Sequence, residues 1–130
     1  MNLDEIKKEC LAIQAFLEIE QSENPVEALE RGNRLVVYLA RTSFMLAEAK
    51  NLYLQKINSD LMKQLNKQLS EVPTLTSKAI NLISDSVARD EKYLVNWLDR
   101  LNSTVTHQLD CLRTLISKAK SEQYHNKSFN

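Results

Sequence analysis

The stretch from Leu94 to Ala119 constrains the fold most. Leu94, Leu98, Leu101, Val105, Leu109, Leu112, Ile116 and Ala119 recur at steps of three and four, and no Gly or Pro interrupts them. That is the period of one buried face on a long helix. Asp99, Arg100, Ser103, Thr106, Asp110 and Arg113 fall on the opposite side. The whole chain follows suit. One glycine and two prolines in 130 residues leave few turns and no glycine-rich phosphate loop.

The breaks therefore stand out. Asn24-Pro25 with Glu27 reads as an N-cap, a proline at the first helical position and a capping box. Ser70-Glu71-Val72-Pro73-Thr74 is the second break, because proline disfavours helix at the residue before it. Three helices follow, at about 3–21, 25–69 and 75–120. They form one domain, 1–121, and residues 122–130 lack periodicity and read as a tail. Gly32 is expected to mark a close crossing or a kink, and the polar run Ala88–Lys92 a bend.

In the first helix Leu3, Ile6, Cys10, Ile13 and Leu17 make a heptad seam. The expected fold is all-α: an elongated antiparallel helical bundle with coiled-coil-like packing, made of a short N-terminal helix and a long two-helix hairpin. The short helix covers only one end. The hairpin tip is left with Leu54, Ile57, Leu61, Leu65, Leu69, Ile80, Ile83 and Val87, more than two helices can bury between them. Self-association through the tip is expected, as a dimer forming a four-helix bundle or by a swap of the first helix.

Net charge is zero, but its distribution is uneven. Residues 1–30 hold two lysines against eight acids, a net of −6, while residues 31–69 hold seven basic residues against two acids, a net of +5. Arg31, Arg34 and Arg41 on the second helix, with Arg100, Arg113, Lys118 and Lys120 on the third, are a candidate nucleic-acid contact. The competing reading pairs these cations with the acidic first helix. The first twenty residues lack the apolar core of a signal peptide, and no apolar run approaches a membrane span. With both Cys10 and Cys111 read as buried free thiols, the expectation is a cytoplasmic protein with no membrane partner.

Chemistry-bearing patterns are sparse. His107 and Cys111, four apart, have the spacing of two zinc ligands, and an antiparallel arrangement would bring Cys10 level with them. No fourth ligand accompanies them, so no metal and no cofactor are expected. Glu27, Glu30, Glu48 and Asp60 find no matching acidic pair among Asp85, Asp90, Glu91 and Asp99, so a metal-dependent helical enzyme stands only as a second alternative. No catalytic residue is assigned. Asn102 and Gln108 lie at the buried stripe, where amides need partners and can fix helix register.

Trp97–Asn102 and His107–Ser117, with Arg41-Thr42 and Ala47–Lys50, resemble segments of small helical proteins encoded by bacteriophages and prophage-like elements. The resemblance spans about half the chain and implies a bacterial cytoplasm, beside DNA replication or recombination. Those proteins supply no activity to carry over. The reading is a non-enzymatic helical interaction or scaffold protein with an unidentified protein partner, and the alternative is an accessory nucleic-acid-binding protein.

Overall fold

The computed structural model describes residues 1–72, 74 and 76–128, without the side chains of 60, 61, 127 and 128. The fold is all-α, and no strand occurs among the described residues. Helix α1 spans Leu3–Leu17, α2 Pro25–Ile57, α3 Asp60–Leu69, α4 Ser77–Val87 and α5 Arg89–Ser128.

Helices α1, α2 and α5 pack around one apolar core. Specific contacts give their directions. Arg31 meets Gln108, Thr42 meets Asn102 and Lys92 lies over Tyr53, so α5 descends as α2 rises. Phe16 stacks edge-on against Tyr38 and Glu9 pairs with Arg41, so α1 also runs against α2. The first-helix seam holds: Ile6, Cys10, Ile13 and Leu17 are buried. On α5 the stripe is buried at Leu94, Leu98, Leu101, Val105 and Leu112, but Leu109, Ile116 and Ala119 are only partly covered. The cause is the length of α1. Its last residue, Leu17, sits beside Gln108, and beyond that point α5 runs along the start of α2, where Val26 and Leu29 meet Ile116 and Ala119.

Several boundaries differ from expectation. Helix α1 stops at Leu17 rather than near residue 21, because the chain must turn to reach the Asn24 cap. The Asn24 side chain accepts from Val26 N and Glu27 N, but its own N–H donates to Ser22 Oγ instead of to Glu27, so the capping box is half made. A full box forms instead at Asn2 and Glu5. The expected second helix breaks at Asn58-Ser59: the Asn58 N–H donates to the Leu54 carbonyl and the Ser59 N–H to the Lys56 carbonyl, closing α2, and extended Ser59 opens α3. The expected third helix divides at Ala88, and its predicted start at Leu75 lies outside the described residues. Residues 122–128, expected as a tail, continue α5.

These breaks change the hairpin tip. Helix α3 folds against α4, and α4 touches both long helices. Tyr53 Oη donates to Asp85, tying α2 to α4. Met62 and Ala88 are fully buried. Ile57, Leu65, Leu69, Ile80, Ile83 and Val87 are half-buried, and Leu54 is 50% exposed. The side chain of Leu61 lies outside those described. A bare two-helix hairpin would leave more of these to solvent, and the extra breaks let the tip cover much of itself.

Candidate functional site

Polar side chains pin the core in register. Gln108 Nε2 donates to the Leu17 carbonyl at 3.0 Å, and its Oε1 accepts from Arg31 Nη2 at 2.9 Å. The same Arg31 nitrogen reaches the Phe16 carbonyl at 3.4 Å, with the guanidinium 4.8 Å from the Phe16 ring centre. Carbonyls left open where α1 ends are thereby satisfied. Asn102 Nδ2 donates to Thr42 Oγ1 and Ser43 Oγ, both at 2.9 Å, and Thr42 is fully buried. Trp97 Nε1 donates to Gln14 at 3.3 Å. Both amides singled out in the sequence have partners, and these bonds join different helices.

The seven candidate nucleic-acid contacts do not gather into one patch. Arg31 is held as above, Arg34 lies 5.5 Å from the Phe16 ring, and Arg41 makes two hydrogen bonds to the Glu9 carboxylate. These three turn toward α1. Arg100, Arg113, Lys118 and Lys120 are exposed on α5, where spacing splits them. Arg113 and Lys120, seven apart, share one side, and Arg100 and Lys118, eighteen apart, share another.

The metal pattern also disperses. His107 Nε2 is 3.9 Å from Cys111 Sγ, and both residues are exposed. Cys10 is fully buried, and Leu17 rather than Cys10 comes level with this pair. Cys111, expected to be buried, is exposed, because it falls beside rather than on the α5 core stripe. Among the described residues no group of three or more His, Cys, Asp or Glu is placed to hold a metal. Burial, and secondarily the charge of Glu9, pushes the Cys10 thiol up to about 11. It is a packing group and no nucleophile at neutral pH.

The feature that sequence reasoning missed is the outer face of α2. Leu35, Thr42, Met45 and Ala49 on its inner face are buried. On the far side Val26 is 65% exposed, Leu29 56%, Val36 58%, Val37 57%, Phe44 47% and Leu54 50%. Asn33, Ala40, Ser43, Ala47 and Asn51 lie between them and are exposed as well. Positions 26, 29, 33, 36, 40, 43 and 47 alternate steps of three and four, so they form one stripe. None of these residues carries a charge. The charged residues of α2 up to Glu48 lie on the α1 side. Glu27, Glu30, Arg31 and Arg34 surround Phe16 and Glu20, Arg41 meets Glu9, and Glu48 meets the Met1 nitrogen. Lys50 follows at the stripe's opposite edge.

At its lower end the stripe runs into an apolar groove, where Val26 and Leu29 meet Ile116 and Ala119 of α5. The signal is present in the sequence as apolar residues on the second helix outside its one buried stripe. Among the described residues most of this face stays exposed. Among the described residues no helix is long and apolar enough to cross a membrane. No family model, curated protein or solved structure matches the chain.

Proposed function

We propose that the protein is a non-enzymatic helical interaction module. It acts by laying the outer face of α2 against another helix. The observation that carries this reading is an exposed stripe of α2 from Val26 to Leu54 whose own residues are all uncharged, bordered by Lys50 and by Arg41, whose guanidinium lies 5.3 Å from the Phe44 ring centre. A solvated helix face normally carries charge, and a contiguous apolar patch rimmed by polar residues marks an interaction site. Apolar anchors at steps of three and four are how one helix reads another. The bundle behind the stripe is a scaffold: its inner face is packed and hydrogen-bonded, so the outer face is presented on a rigid support.

Photo-cross-linking in cells tests the reading. A photoreactive residue at Val37 or Ala40 is expected to give discrete protein adducts, while the same residue at Asp99 or Ser117 on α5 gives none. Adducts from α5 alone, or from neither helix, would overturn it.

A further inference from the structure

We infer that the helix received by this face is α2 of a second copy, in an antiparallel two-fold pair centred near Ala40. The inference rests on the docking reading above and names its partner.

An uncharged face must meet another uncharged face, since a charge set against it loses its water without gaining a counter-charge. The chain carries such a face along the stripe, and the cation nearest its middle, Arg41 over the Phe44 ring, is already paired with Glu9. Two apolar pairs of the stripe are matched about its middle, while Leu29 falls opposite Asn51 and Val37 opposite Ser43. Val36 and Phe44 stand four residues either side of Ala40, and Val26 and Leu54 stand fourteen either side. An antiparallel pair therefore sets Val36 toward Phe44 of the second copy and Val26 toward Leu54 of the second copy. Ala40 sits on the axis, where a small residue lets the backbones approach.

Orientation follows from charge. A parallel pair would keep the two Lys50 side chains at the same height and align the two helix dipoles. The antiparallel pair sets the lysines about 30 Å apart along the axis and opposes the dipoles.

Size sets the strength. From Val26 to Leu54 the stripe is about 42 Å long at 1.5 Å per residue, and a helix is about 10 Å across, giving about 420 Å² of face per copy. That lies within the range of the largest patch on a monomer and, doubled to about 840 Å², falls below about 1,200 Å², where stable specific interfaces begin, in the range of weak, transient contacts. The dimer is therefore expected to form at micromolar concentrations.

Sedimentation velocity on the purified full chain, from about 2 to about 200 µM, tests this. The wild type is expected to shift from monomer to dimer across that range. Ala40→Glu sets two carboxylates together on the axis and should weaken the dimer at least about a hundredfold. Orientation is read in a Cys111→Ser background. Ala40→Cys should oxidise to a disulfide-linked dimer, whereas Leu29→Cys, about 33 Å from its own copy in the antiparallel pair, should not. A wild type that stays monomeric throughout, an Ala40→Glu chain that dimerises like wild type, or Leu29→Cys cross-linking as readily as Ala40→Cys would each overturn the inference. A monomeric wild type alongside α2 adducts to a different protein would remove the self-partner and leave helix-face docking standing.

Discussion

The two long faces of α2 are alike in composition and opposite in fate. The inner face sets Ala28, Leu35, Thr42, Met45 and Ala49 against α1 and α5, and all are buried. The outer face sets Leu29, Val36, Ala40, Phe44 and Leu54 toward solvent. Apolar character alone does not decide burial. The supply of neighbours does, and this chain has enough helix to cover one side of α2. The difference teaches that an apolar position can serve the fold or serve a partner, and that substitutions tell the two apart.

The largest effect belongs to the inner face. Leu35→Ala or Leu98→Ala removes a fully buried side chain and should cost about 2–5 kcal/mol in urea unfolding. A smaller cost would mean that the core collapses around the gap.

Alkali attacks the same core through Cys10. Its thiol is raised from 9.0 to about 11 by burial, so the folded chain holds its proton longer than the unfolded chain. The stabilisation is present in full below pH 9 and is lost as pH rises through 11, about 3 kcal/mol in all at 1.36 kcal/mol per unit. Melting curves from pH 8 to 11 should fall accordingly. Exposed Cys111 should react with a thiol reagent at pH 8 while Cys10 waits for unfolding. Equal reaction of both would show that the α1 seam is open.

Gln108→Ala should cost about 1–3 kcal/mol, because it strips the Leu17 carbonyl of its donor and Arg31 of an acceptor at the place where α1 ends. Protection of α1 amides from hydrogen exchange should fall more than protection of α2. A uniform fall would mean that the amide does not pin α1 in particular.

Gly32→Ala acts in the other direction. An added Cβ would stand 3.8 Å from Leu112 Cδ1, an ordinary contact, so alanine fits and should stabilise by about 0.5–1 kcal/mol through helix propensity. The expected close crossing at this glycine is absent. Destabilisation on substitution would show that α2 and α5 pack tighter there.

Much of the bundle was legible because it follows from period. The α1 seam, the Asn24 cap and most of the α5 stripe are runs of local signal that the packed helices satisfy together. The tip was less legible. Asn58-Ser59 is a helix-breaking pair without glycine or proline, and its weak signal was overridden by the apolar run on either side. Continuation of α5 past residue 121 carries no apolar periodicity in the sequence to announce it. The outer face of α2 was hidden for a different reason. Its residues were visible as apolar, but dividing them between two faces requires knowing where α1 and α5 lie. The arginines show the same limit. Arg31 and Arg41 could be assigned to a partner surface or to α1 by sequence, and geometry turns both toward α1.

The most direct test of the account measures folding and association on one substitution from each face of α2. Leu35→Ala should lower the melting temperature of the dilute chain by roughly 8 °C or more while the folded protein still associates. Ala40→Glu should leave that melting temperature nearly unchanged, since an exposed substitution usually shifts stability by less than about 0.5 kcal/mol, and should abolish association. If Ala40→Glu unfolds the dilute chain, or leaves association intact, the outer face of α2 is not the docking surface.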